Sequence, residues 1–300
     1  MGQLVDGVWR DVPREAPKDG AFVRAESAFR DRVSRDGPFT PQAGRYQLYA
    51  ARSCPWAHRT LIVRALKGLD KAIPAFYATA GRSENGWEFP GAEFPLLHQL
   101  YTAAEPRYSG RVTVPVLWDS LTRRIVNNES SEIIRMLNRD FDAFARRKLP
   151  DLYPEKLRKE IDAVNEVVYR GLNNGVYRAG FATAQDKYEQ AASEVFRTLD
   201  WLERRLAKRR WLCGARLTEA DVRLFPTLVR FDAVYYSHFK CNLRRLVDYR
   251  RLWRYTRRFY ALPGVAATVS LVEIKTHYYR SMSHINPTRI VPEGPLLSFR

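Results

Sequence analysis

Three cysteines in 300 residues are too few for a disulfide framework, so the chain is expected in a reducing compartment, the cytoplasm. No apolar run approaches the length that crosses a bilayer, and no membrane association is expected. The opening Met1-Gly2-Gln3-Leu4-Val5-Asp6-Gly7 lacks the apolar stretch of a secretory leader, and Asp6 stands where a myristoylation signal needs a hydroxyl. There is no Cys-x-x-Cys pair: counting Cys54 as the first position, the fourth is Ala57, and Cys213 and Cys241 lie far away. A dithiol that resolves itself within one turn is thereby excluded. His238 and Cys241 are two ligand types close together, but two ligands do not make a zinc site, and no metal is expected. Acid is also in deficit, with 33 Asp and Glu against 50 Lys and Arg, a net charge of +17.

What is present is Ser53-Cys54-Pro55-Trp56-Ala57-His58-Arg59, between a segment of strand character (45–51) and one of amphipathic helical character (55–67). Proline is tolerated in a first helical turn because its missing N–H would have no partner there. The spacing therefore puts Cys54 at a helix N-terminus, whose free N–H groups and positive dipole end favour thiolate. An unperturbed thiol is only roughly 3% thiolate at neutral pH. About 2 kcal/mol of such stabilisation makes the two forms comparable. A buried, inert cysteine fits the same position. If Cys54 is reactive, Ala57 makes it a monothiol, and a disulfide formed on it must be resolved by an external small thiol unless the fold brings another cysteine near.

The basic residues thicken in the second half, at 204–210, 244–245 and 250–258. Arg250, Arg251, Arg254, Arg257 and Arg258 recur at helical spacing. Leu252, Trp253, Thr256, Phe259 and Tyr260 would line another face, where a core would sit. Without Gly-rich or zinc-finger context, the stripe is read as a solvated helix face, and no nucleic-acid partner is expected. Such a surface can still concentrate anionic small molecules.

The pattern divides the chain into an irregular extension (1–44), a thioredoxin-like α/β domain (45–145) and an all-helical domain with an irregular tail (146–300). In the α/β part, strands at 45–51, 72–77, 111–119 and 124–128 alternate with helices at 55–67 and 130–138. A long Gly/Pro-containing loop is expected at 80–110. Pro115 is poorly placed for a central strand; Val114-Pro115 reads as a tight, cis turn that frees the Val114 backbone, an edge-strand proline being the other reading. The second half shows helical periodicity over 155–173, 185–209, 218–236 and 248–261. Thr218-Glu219-Ala220-Asp221 has the form of an N-terminal capping box, a structural motif.

This order resembles the cytosolic glutathione transferases. The motifs resemble most their Xi class, the glutathionyl-hydroquinone reductases: Cys54-Pro55-Trp56-Ala57-His58-Arg59, Arg111-Val112-Thr113-Val114-Pro115-Val116, Asn127-Asn128-Glu129-Ser130-Ser131, Asn173-Asn174-Gly175-Val176-Tyr177, Arg230-Phe231-Asp232 with Tyr235, and His277-Tyr278-Tyr279. The similarity runs from about residue 20 to the C-terminus. It implies the glutathione transferase fold, a homodimer, and glutathione as co-substrate. It further implies that Glu129 and Ser130 hold the γ-glutamyl end, that the Val114 backbone beside the structural Pro115 pairs with the cysteinyl part, and that Trp87 and Arg111 make further contacts. Cys54 would be the nucleophile, Tyr177 the proton donor, and Tyr235 and Tyr278 hydrogen-bond partners of thiolate or substrate. The implied reaction is reduction of glutathionyl-hydroquinones through a Cys54–glutathione mixed disulfide, releasing glutathione disulfide. A general thiol transferase or dehydroascorbate reductase shares Cys54, Pro115 and Glu129-Ser130, and a non-catalytic interaction module is the third reading.

Overall fold

The computed structural model describes residues 2–10 and 19–299. Part of the expected N-terminal extension, 11–18, lies outside the described residues. In chain order the elements are β1 (Gln3–Val5), β2 (Val8–Arg10), β3 (Tyr46–Ala50), α1 (Pro55–Lys67), β4 (Ala75–Tyr77), α2 (Leu97–Ala104), β5 (Gly110–Arg111), β6 (Val116–Asp119), β7 (Arg124–Asn127), α3 (Ser130–Arg139), α4 (Arg158–Val168), α5 (Gly175–Gly180), α6 (Gln185–Arg205), α7 (Glu219–Leu228), α8 (Arg250–Tyr260) and α9 (Leu271–Ser281). They group into two compact units. One holds the described residues of Met1–Glu15 with Glu26–Leu149 and Ala267–His277. The other holds the described residues of Ala16–Ala25 with Pro150–Ala266 and Tyr278–Arg300.

The first unit is built on a four-stranded sheet of order β4-β3-β6-β7. β3 and β4 run parallel, joined by α1, and β6 pairs antiparallel with both β3 and β7. Strand positions such as Leu48, Val116, Leu117 and Val126 are fully buried. α1 begins at Pro55 and ends at Gly68, whose φ of 64° is the left-handed conformation a C-terminal cap requires. Its last-turn Lys67 is buried and donates to the Asn138 carbonyl at the end of α3. The Arg45 guanidinium meets Asp119 at 2.6 Å, closing the start of β3 onto the end of β6.

Two segments expected to be irregular are ordered. The N-terminal extension contains a β1–β2 hairpin, with Val5 opposite Val8, and β1 also pairs with β5. Asp6 (φ 48°) and Gly7 (φ 77°) form its two-residue turn, the Asp-Gly chemistry that hairpins favour. The 80–110 loop contains α2 and the start of β5. The expected strand at 111–119 is split: Arg111 belongs to the small β2-β1-β5 sheet, and only Val116–Asp119 joins the main one.

In the second unit the periodic segments become helices, with two interruptions by π-helical turns, at Tyr169–Asn173 and Phe231–Tyr235. Their i→i+5 bonds, Asn174 N–H to the Tyr169 carbonyl and Tyr236 N–H to the Phe231 carbonyl, are both 2.8 Å. The second turn divides the helix expected over 218–236, just past Pro226 inside α7. Asp221 is fully buried and accepts from Thr218 N–H, Leu212 N–H and the Tyr255 hydroxyl, each at 2.8 Å. This is the capping motif expected from the sequence, extended to a second loop and to α8. The tail expected to be irregular begins with α9.

Candidate active site

Cys54 is the N-cap of α1, with extended backbone (φ −82°, ψ 120°), and its carbonyl accepts the first intrahelical bond from His58 N–H at 2.9 Å. The cap side chain makes no bond to the helix N–H groups, and the first turn carries no acid. The half-buried Cys54 thiol faces the Val114 carbonyl oxygen, to which it donates across 3.7 Å. The Val114-Pro115 peptide is cis. Among the described residues the Val114 N–H donates no hydrogen bond, so a main-chain donor stands on the same residue whose carbonyl faces the thiol. The other two thiols are of a different kind. Burial pushes Cys213 up to about 11 and Cys241 up to about 12.

Glu129 and Ser130 sit where β7 passes into α3. Glu129 is the N-cap, its Oε1 accepting from Ser131 N–H at 2.9 Å and from the Ser131 hydroxyl at 2.8 Å. Its other oxygen accepts from Ser27 at 3.0 Å. Burial works to raise its pKa, but the Ser131 and Ser27 hydrogen bonds and the Arg59 charge outweigh it and hold the carboxyl below its ordinary value. Ser130, buried at the first turn, receives a 3.5 Å contact from the Arg59 guanidinium of α1. A carboxylate and a hydroxyl thus stand together at a helix N-terminus, the arrangement that suits an ammonium and a carboxylate of one ligand.

Trp87 is buried in the same unit and stacks on His277 of α9, centroids 5.0 Å apart and planes 16° from parallel, with the Arg82 guanidinium 5.1 Å from its ring. Arg111 is held in β5 opposite Gln3 of the N-terminal hairpin.

The three tyrosines come together in the second unit. The Tyr278 hydroxyl lies 2.5 Å from that of Tyr177 and 3.1 Å from that of Tyr235. Tyr177 stands on α5 just after one π-helical turn, and Tyr235 closes the other. Phe239 packs against all three rings, at 5.3 to 5.6 Å. Burial first, then the neighbouring phenols, raises Tyr235 and Tyr278 well above the usual phenol range, against the Arg230 charge. Both therefore remain protonated donors at neutral pH. The Arg24 guanidinium stands 4.9 Å from the Tyr177 ring centroid, and its Nε donates to Asn174.

Comparison with known proteins gives the family. Residues 53–140 match the glutathione S-transferase N-terminal domain and residues 185–258 its C-terminal domain. Glutathionyl-hydroquinone reductase PcpF of Sphingobium chlorophenolicum is 54% identical, over 98% of this chain and 96% of that protein. The chain belongs to the glutathione transferases of the Xi class. A Xi-class structure from Natrialba magadii superposes with a TM-score of 0.92 at 44% identity, covering 100% of this chain and 95% of that one. The glutathione-bound structure of YqjG from Escherichia coli K-12 gives 0.90 at 46%, covering 99% and 97%. The fold is that of the family, an α/β thioredoxin-like part and a helical part, and glutathione is its co-substrate.

Several neighbours of the candidate residues were given no role by the sequence. Ser27 lies 102 positions from Glu129, Arg59 is one of many arginines, and His277 reaches Trp87 from a helix not foreseen. Only α9 had a local signal: Ser270 and Glu273 are spaced as hydroxyl-x-x-acid, and Ser270 Oγ accepts from Glu273 N–H at 3.2 Å. Among the described residues no group of three His, Cys, Asp or Glu is placed to hold a metal ion.

Proposed function

We propose that this chain reduces glutathionyl-hydroquinones to hydroquinones at the expense of glutathione. The observation that carries the reading is the single Cys54 thiol at the start of α1, facing the Val114 carbonyl beside cis-Pro115, in a chain 54% identical to a glutathionyl-hydroquinone reductase. The Cys54 thiolate attacks the sulfur of the substrate. An S–S bond forms and the ring carbon–sulfur bond breaks, leaving its electron pair on the ring carbon. Tyr177 protonates that carbon and the hydroquinone departs. A second glutathione attacks the mixed disulfide, releases glutathione disulfide, and restores the thiolate, its thiol proton returning to Tyr177. The substrate is reduced by two electrons and two glutathione sulfurs are oxidised.

In this reading Glu129 pairs with the glutathione ammonium, Ser130 and the α3 N-terminus take its carboxylate, and the Val114 N–H pairs with its cysteinyl carbonyl. Trp87 and Arg111 complete the contacts, while Tyr235 and Tyr278 hold the Tyr177 hydroxyl in place. Two copies of the chain form the working dimer in the cytoplasm. The test is Cys54→Ser and Tyr177→Phe, each assayed on a glutathionyl-hydroquinone. Cys54→Ser loses turnover by at least about 10³-fold. Tyr177→Phe slows turnover yet still accepts one glutathione from glutathione disulfide, read by intact mass. Full activity in Cys54→Ser overturns the scheme.

A further inference from the structure

The charge of the second unit is not used by this chemistry. Between Arg197 and Arg258 the sequence has seventeen Lys and Arg against six Asp and Glu, so this stretch carries +11 of the chain's +17. The fold then concentrates it. Glu203, near the end of α6, accepts from Arg251 N–H at 2.9 Å and from Leu252 N–H at 2.8 Å, capping α8 from outside. That contact brings the basic run after α6 against the basic start of α8.

Two adjoining hollows result, and they share Ala207. One of about 470 Å³ is lined by Arg250, Arg251 and Arg254, and one of about 400 Å³ by Trp201 with Arg204, Arg205, Lys208 and Arg209. Arg204, Lys208, Arg210, Arg250 and Arg254 are exposed and have no carboxylate partner among the described residues. Arg250 and Arg251 open α8, the end of a helix where the dipole disfavours cations, and its first turn contains no acid. Arg258 is pulled below its ordinary value by burial and then by the charges of Arg210 and Arg254. Same-sign charges crowded this way raise the energy of the free protein, and a bound polyanion relieves it.

In the sequence the basic stripe lacks Gly-rich or zinc-finger context, and its aromatics fall on a face where a core would sit. The structure buries Leu252, Thr256 and Phe259, but Trp201 is only half-buried and forms part of the wall of a basic hollow, with the Arg205 guanidinium 5.2 Å from its ring. Arginine recognises phosphate through a planar fork, and an indole beside it offers a stacking face to an unpaired base. We propose that the α6–α8 face binds single-stranded nucleic acid, phosphates along the paired arginines and a base against Trp201.

The test is fluorescence anisotropy of a labelled oligodeoxythymidine about twelve nucleotides long, titrated with the full chain and with two variants, Arg204→Glu/Arg254→Glu and Trp201→Ala. With about four phosphates neutralised, affinity falls about 50-fold between about 50 and about 200 mM salt. The double reversal weakens binding at least about tenfold and Trp201→Ala about five- to tenfold. Both variants keep wild-type turnover of a glutathionyl-hydroquinone, which shows that they fold. The proposal is overturned if the oligonucleotide does not bind, or if the double reversal leaves binding unchanged. It is also overturned if Trp201→Ala binds normally while inorganic polyphosphate competes fully, which would be charge attraction alone. Sedimentation with phosphatidylglycerol vesicles in place of oligonucleotide binding overturns it as well.

Discussion

At the scale of single residues, the tyrosine cluster depends on an absence. A Cβ added to Gly180 would stand 2.2 Å from Cγ of Phe239, the ring that packs on Tyr177, Tyr235 and Tyr278. Real Cβ atoms do not approach so closely, so Gly180→Ala must displace Phe239 or α5. The expected result is a loss of about 2–3 kcal/mol in stability by denaturant titration. Turnover of a glutathionyl-hydroquinone should fall more than the melting midpoint suggests, because the displaced ring supports Tyr177. Nothing in the sequence marks this glycine, just as nothing local singles out three of sixteen tyrosines. Cys54 was different: its strand, its proline and the amphipathic run after it are all within a few positions, so its place at a helix start could be read directly.

At the scale of elements, legibility followed how local each signal was. α1 was read correctly at both ends because Pro55 and the amphipathic run to Lys67 are local signals whose meaning does not depend on tertiary contacts, and Gly68 caps the run where it stops. α2 escaped because it lies among Pro90, Gly91 and Pro95 and starts at Leu96, which has no capping side chain. β5 escaped because two residues become a strand only when a distant hairpin pairs with them. α7 shows a cap whose sequence signature understated its reach. Asp221 satisfies its own helix start, the Leu212 N–H and the Tyr255 hydroxyl of α8. Asp221→Ala leaves these buried donors without an acceptor, and we expect a loss of about 4 kcal/mol, measured by urea unfolding. Tyr255→Phe removes one donor together with its need and should cost about 1 kcal/mol.

At the scale of the whole molecule, the aromatic content sets an alkaline limit. Burial pushes Tyr46, Tyr49, Tyr108 and Tyr249 up to about 12. A phenol whose pKa is raised on folding costs nothing below pH about 10, where both states are protonated. As pH rises further the unfolded chain ionises first, and stability is lost progressively until the folded phenols ionise too. Together the four remove on the order of 10 kcal/mol by pH about 12, as much as a typical domain possesses. The part of the tyrosinate absorbance that belongs to these buried phenols should therefore rise in one cooperative step together with loss of helical circular dichroism. A gradual rise with the helices intact would contradict it. This limit could not be read in advance, because burial of particular phenols is a property of the packed chain and not of its composition.

The inequality of the three thiols has a practical side. Cys213 and Cys241 are buried and hold their protons to about 11 and about 12, whereas Cys54 is half-buried at the start of a helix. At neutral pH the first two are thiolate in well under about 0.1% of molecules. A maleimide dye or spin label therefore finds one address in the natural sequence, without cysteine removal. A label placed there would serve as a spectroscopic reporter of which small thiols compete for that address.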